Sequence, residues 1–264
     1  MSDNRAIGVF DSGLGGLCAV RAIHSLMPDE GVVYFGDTGR LPYGTRSNEK
    51  IVSFANGDIR FLMSRDVKII LAACGTVSSV ALDRLSPCGV RVFGVVKPAV
   101  AAAVSSTATG RVGIIGTDAT VMSRAFDIEL AKYGIEAVSA ACPLLVSLIE
   151  NGFCATHPDI VTTVLRAYLS RFDDSGIDTL ILGCTHFPIA EHLIRGIMPG
   201  MTLIDTTYEA VKQLKGVLTD NNMCGNAGKT EYFVSDSAIG FENKAAVFSA
   251  GEPIKAVQIN IEDY

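Results

Sequence analysis

Two short apolar runs end in the same way, IILAACGTVSS at Cys74 and TLILGCTHFPI at Cys184, and this echo constrains the fold more than any other feature. Each run is too short and too rich in branched residues for a helix, and each gives way to small polar residues that suit a helix start. Upstream the echo continues. AIGVFDS ends at Asp11 and Ser12, RVGIIGT ends at Gly116 and Thr117, and VVYFGD and EAVSAACP hold corresponding places between them. From Asp11 to Cys74 is 63 residues, and from Thr117 to Cys184 is 67. Apolar strands alternating with helix-like runs predict parallel sheets with helices on both faces. A unit of roughly 100 residues is too long for a solenoid repeat. The spacing predicts two similar α/β domains with mainly parallel sheets, related by a pseudo-two-fold repeat. The alternative is one long doubly wound sheet without duplication.

In open parallel sheets, ligands bind beyond the carboxyl ends of the strands. Asp11, Ser12, Cys74, Thr76, Thr117, Thr120, Cys184, Thr185 and His186 all fall at or just after such ends. If the two halves face each other through those edges, these residues meet in one cleft. Ser12, Thr76, Thr117 and Thr185 also suit the plainer task of capping helices.

Composition narrows the partners. The 264-residue chain carries a net charge of −6, which argues against a nucleic-acid groove, since phosphate binding needs clustered Lys and Arg. No apolar run reaches the ~18 residues that span a bilayer. The opening MSDNRAIGVF is polar and enters a strand at once, unlike a secretory signal. Seven cysteines at 18, 74, 88, 142, 154, 184 and 224 form no C-x-x-C pair. A disulfide framework or a structural zinc site is therefore not expected, no metal ligand is assigned, and a reducing cytoplasm is the expected location.

Three chemistries compete for the strand-end residues. FDSGLGG after a strand suggests a dinucleotide turn, but Cys18 takes the place of the third glycine, and Asp11 would repel a pyrophosphate. A cysteine hydrolase needs a base held by a third group; His186 lies two residues from Cys184, but the second thiol is left without a task. Two thiols on opposite sides of one carbon use both cysteines. One removes a proton from one face of Cα and the other returns a proton to the opposite face, inverting the stereocentre. Each sulfur would sit about 3–3.5 Å from the carbon, which places them on the order of 6–7 Å apart, too far for the ~2 Å of a disulfide. Such chemistry needs no cofactor if hydrogen bonds stabilise the carbanion.

The segments IGVFDSGLGGL, YFGDTGRLPYG, ILAACGT, GTDATVMS, ACPLLVSLIENG and LGCTHFP, in that order over residues 7 to about 188, resemble the cofactor-independent glutamate racemases of the aspartate/glutamate racemase superfamily. The resemblance implies two α/β domains with the carboxyl-terminal segment returning to the first, so that residues 1–97 with 206–264 form one and 98–205 the other. It implies Cys74 and Cys184 as the proton-transferring residues, tuned by Asp11 on the Cys74 side and by Glu150 with His186 on the Cys184 side. It implies a substrate site lined by Asp11, Ser12, Pro42, Tyr43, Gly44, Gly75, Thr76, Thr117, Thr120, Thr185 and His186. The implied substrate is glutamate, and the implied product, D-glutamate, feeds peptidoglycan synthesis in a bacterial cytoplasm. No cofactor is implied. The sequence leaves the oligomeric state open, a homodimer included.

Gly75 departs from the family, which usually carries asparagine there. Glycine keeps the main-chain N–H and is expected to enlarge the pocket slightly. Racemisation of aspartate or another amino acid is the alternative it raises, and amino-acid binding without catalysis is a further one. Glu150 has its own plainer reading as a surface residue before the Asn151–Gly152 turn.

Overall fold

The computed structural model describes residues 3–226 and 228–264. The chain opens with β1 (Ile7–Asp11), α1 (Leu17–Leu26), β2 (Val32–Gly36), α2 (Asn48–Ser64), β3 (Ile69–Ala72), α3 (Gly75–Val80), β4 (Val92–Phe93) and α4 (Val96–Ser106). The pattern then restarts with β5 (Arg111–Gly116), α5 (Asp118–Ser123), α6 (Ala125–Ala131), β6 (Glu136–Ala141), α7 (Pro143–Glu150), α8 (Phe153–Thr156), α9 (Pro158–Leu169), β7 (Thr179–Leu182), α10 (Glu191–Ile197) and β8 (Thr202–Asp205). It closes with α11 (Thr206–Asp220), β9 (Thr230–Val234), α12 (Ala238–Ala245) and β10 (Ala256–Gln258).

The strands form two sheets, in the orders β10-β9-β2-β1-β3-β4 and β6-β5-β7-β8, and every pairing is parallel. The duplication lies in the order itself: β2-β1-β3-β4 and β6-β5-β7-β8 are the same winding used twice. One continuous sheet is thereby excluded. Strands β1 and β3 are buried along their whole length, as expected of strands covered on both faces. Their side chains alternate between two cores. Val9 joins a large core with α1 and α11, while the next residue, Phe10, joins the core on the opposite face with Ile59 and Leu62 of α2. The larger core also includes Ile115, Leu180 and Leu182 of the second sheet. Helix α11 follows the second sheet yet packs on both α1 and α4, tying the halves together.

Two helical stretches are divided in the structure, each for a visible backbone reason. The stretch from Thr117 to Leu130 divides at Arg124, whose φ of 56° is left-handed, into α5 and α6. The stretch after β6 divides into α7, α8 and α9, first at Gly152 with φ 72° and again at His157, the residue before Pro158. Among the described residues no helix is long and apolar enough to cross a membrane.

Candidate active site

Each sheet reverses its winding at its first strand, β1 in one and β5 in the other, and the crevice beyond that switch point is where an open parallel sheet takes a ligand. Asp11 and Ser12 leave the end of β1 and Cys74 follows β3 next door; Thr117 leaves β5 and Cys184 follows β7. The two crevices face each other across a cavity of about 330 Å³. Ser12, Pro42, Tyr43, Gly44, Cys74, Gly75 and Thr76 line it from one half, and Thr117, Glu150, Cys184, Thr185 and His186 from the other.

The two thiols have different surroundings. Cys74 caps α3, is almost fully buried and directs its Sγ to Ser12 Oγ at 3.7 Å. Burial pushes its pKa up to about 12, and the nearby Asp11 charge adds to the effect. Cys184 is followed by a tight turn rather than by an α-helix; a short 3-10 segment, Phe187–Ala190 with Pro188 inside it, intervenes before α10. The turn folds His186 back so that its Nδ1 lies 3.7 Å from Cys184 Sγ, while its Nε2 meets Glu150 Oε1 at 2.9 Å. Burial disfavours a charged imidazole here, but the hydrogen bonds to Cys184 and Glu150 prevail and raise His186 to about 10. Glu150 is correspondingly held below the usual carboxylate range: burial would raise it, but the His186 hydrogen bond and charge outweigh that penalty. The His186 and Phe248 rings pack edge to face, with centroids 5.1 Å apart and planes at 83°.

Asp11 and Thr120 stand behind the cavity wall rather than on it. Asp11 is completely buried, accepts the Gly13 N–H at 2.9 Å and faces Thr185 Oγ1 at 3.5 Å. Burial lifts its pKa, with the His186 charge and the Gly13 and Gly16 amides pulling the other way. Thr120 is spent on Thr117, whose hydroxyl both accepts its N–H at 3.2 Å and meets its Oγ1 at 3.0 Å. Thr117 does cap a helix, yet it also meets Thr76 Oγ1 at 3.0 Å across the cleft. Glu150 is no surface residue, being only 15% exposed in its side chain and bonded to His186.

Gly75 does not enlarge the pocket. A Cβ placed there would lie 2.2 Å from the Gly183 carbonyl oxygen, so the space a side chain would need is filled by main chain of the other half.

The wall carrying Pro42, Tyr43 and Gly44 hangs on a buried charged cluster. Tyr43 hydroxyl bonds Asp37 and also Asp58 Oδ2 (3.1 Å), while Arg40 reaches Asp37 at 2.6 Å and Asp58 at 2.8 Å. Burial, with Asp37 beside it, pushes Asp58 well above the carboxylate range. Sequence reasoning missed this support, and it missed Phe248 and the α7 wall beyond Glu150. The last was recoverable: Pro143, Val146, Ser147 and Glu150 all line the cavity and are spaced i, i+3, i+4 and i+7, one helical face. All seven cysteines are free, and Cys142 is wholly buried while Cys224 is exposed. Among the described residues no group of three or more His, Cys, Asp or Glu side chains is placed to hold a metal ion.

The Asp/Glu/Hydantoin racemase family model matches residues 18–214 of the chain. The chain belongs to this family. It is an amino-acid racemase, an isomerase, with the family's two-part α/β fold. A glutamate racemase of Geobacter metallireducens is 36% identical over 98% of this chain and 97% of its own length. A second, from Chlorobaculum tepidum, is 44% identical over 83% of this chain and 81% of its own. Among solved structures, the glutamate racemase of Francisella tularensis in complex with D-glutamate superposes with a TM-score of 0.91 at 37% identity, covering 99% of this chain and 100% of that one. An aspartate racemase of Picrophilus torridus, at 17% identity and a TM-score of 0.61, shares the fold alone.

Proposed function

We propose that this racemase interconverts L- and D-glutamate by passing protons at Cα between Cys184 on one face and Cys74 on the other. The observation that carries the reading is that the two cysteines leave equivalent strands of a duplicated fold and line opposite walls of one small cavity. In the L-to-D direction, the Cys184 thiolate takes the Cα proton and becomes a thiol. The electron pair left on Cα delocalises into the α-carboxylate, and Cys74 gives its proton to the opposite face and becomes a thiolate. The burial that keeps Cys74 protonated suits it to be the acid of that half-cycle, and a cationic His186 stabilises negative charge on the Cys184 sulfur. Hydroxyls of Ser12, Thr76, Thr117 and Thr185 line the cavity, and on turning from their partners in the protein to a bound substrate they donate to its carboxylates and to the charge developing at the enolate oxygens. Glu150 holds His186, and Asp11 acts through Thr185 rather than from the wall. The proton transfers require no cofactor on this account.

The wider setting follows from the same reading. The chain divides into domains at 1–97 with 206–264 and at 98–205, works in the cytoplasm, supplies D-glutamate for peptidoglycan, and is compatible with a homodimer. The test is purified protein assayed in deuterated water against L and D forms of glutamate, aspartate and other amino acids. Inversion with deuterium at Cα of glutamate is expected. Faster inversion of aspartate would overturn the substrate, and binding without exchange would overturn catalysis.

A further inference from the structure

The two thiol-bearing turns touch at a point where neither has a side chain. Gly75 starts α3 directly after Cys74, and Gly183 lies directly before Cys184. The Cβ position of Gly75 falls 2.2 Å from the Gly183 carbonyl oxygen, 3.2 Å from its carbonyl carbon and 3.7 Å from Cys184 Cα. The obstacle is main chain, not the end of a flexible side chain that could swing away. Gly183 is itself held, since its N–H donates to Ile115 O at 2.7 Å and its own Cβ position is 2.8 Å from the same oxygen. The turn after β7 cannot yield locally without losing that bond to β5. Relief has to come from moving one half of the molecule relative to the other.

We infer that Gly75 is a positioning residue that sets the separation of the two thiols, by letting the halves close main chain against main chain at Gly75 and Gly183. The inference rests on the two-thiol reading of the cavity. Any side chain at position 75 has to push the Gly183–Cys184 turn back by at least about 0.8 Å to restore a 3.0 Å contact. Cys74 and Cys184 are the immediate neighbours of these glycines, so the displacement is transmitted to the reacting sulfurs. Misplacement of reacting groups by about 1 Å costs on the order of 10²-fold in rate. Gly216, exposed on α11 away from the cavity, is unconstrained: its Cβ position meets nothing within 4 Å.

Three proteins test this: wild type, Gly75→Ala and Gly216→Ala, each checked for folding by circular dichroism and thermal melting. Racemisation of glutamate by the wild type is the control for the underlying reading; if it is absent, that reading fails rather than this one. Given an active wild type, Gly75→Ala is expected to melt cooperatively and to lose about 100-fold in kcat with KM changed less than threefold. The primary kinetic isotope effect on kcat with 2-deuterioglutamate is expected to rise, because proton transfer across the longer gap becomes limiting. Gly216→Ala is expected to change kcat less than threefold. A Gly75→Ala enzyme with wild-type kcat and isotope effect overturns the inference. So does a loss in Gly216→Ala that equals or exceeds that of Gly75→Ala. A Gly75→Ala chain that does not fold overturns it too, because the claim is that the halves move apart rather than unfold.

Discussion

Replacing Glu150 by glutamine removes one charge from the Cys184–His186–Glu150 chain while keeping an oxygen within reach of His186 Nε2, now at 2.9 Å. The side chains are 6% and 15% exposed, so solvent screens the pair little. A hydrogen bond to a charged group is worth about 1.5–3 kcal/mol and a neutral one about 0.5–1.5. The substitution therefore forfeits roughly 1–1.5 kcal/mol of support for the imidazolium, or about tenfold in rate if that charge is used in the transition state. Glu150→Ala removes the acceptor altogether and should cost on the order of 10²-fold. The assay is racemisation followed by circular dichroism from pure L- and pure D-glutamate across pH 6–10. The enantiomers have equal free energy in water, so kcat/KM must fall by the same factor in both directions. Any asymmetry belongs in kcat and KM taken separately. His186 holds its proton less firmly in Glu150→Gln, so the alkaline limb of the pH–rate profile should move to lower pH. An enzyme with undiminished kcat/KM and an unmoved limb would refute the assignment of Glu150 and His186 to the Cys184 thiol.

Two further outcomes concern stability. His186 is raised from its ordinary 6.5 to about 10 in the folded chain. Its contribution is therefore fully present below about 6.5 and is lost as pH rises towards 10, because the native state holds a proton that the unfolded chain releases. Urea-unfolding free energy should fall by up to about 1.4 kcal/mol per pH unit between pH 7 and 9, and His186→Asn should flatten that slope; an equal slope in the variant would contradict the charge assigned to His186. Lys68 is fully buried and meets Glu30 at 2.6 Å, with its ammonium also on the carbonyls of Asp3 and Met223. Lys68→Met strands the Glu30 carboxylate and should cost about 3–5 kcal/mol by denaturant titration, whereas Lys68→Met with Glu30→Leu should recover part of it; a single variant within 1 kcal/mol of wild type would show the pair to be dispensable.

The parts of this molecule legible in the sequence are those governed by short-range pattern. Runs such as IGVF and TLIL announce buried parallel strands, and their repetition at matched intervals gives the duplicated winding and the strand ends where Cys74 and Cys184 stand. What stayed hidden depends on distant approach. Nothing around Phe248 marks it as the ring against His186, because the contact joins positions 62 residues apart through tertiary packing. Asp37, Asp58 and Arg40 each look like ordinary surface charges until α2 brings Asp58 under the Tyr43 loop. Gly75 shows the same limit most sharply. Its sequence context suggests extra room for a substrate, and only the opposing Gly183 carbonyl reveals that the room is already filled. The helix break at Arg124 escaped notice because one left-handed residue other than glycine is enough to divide a helix.

In the proposed mechanism Cα is worked from both faces by two thiols. The most direct measurement is racemisation of L-glutamate in deuterated water by the wild type, Cys74→Ala and Cys184→Ala, with the enantiomers separated and weighed for deuterium at early times. Wild-type D-glutamate is expected to carry deuterium at Cα while the recovered L-glutamate carries none, and each alanine variant is expected to fold but not to racemise. Deuterium accumulating equally in recovered substrate and product, or full racemisation by either variant, would contradict it.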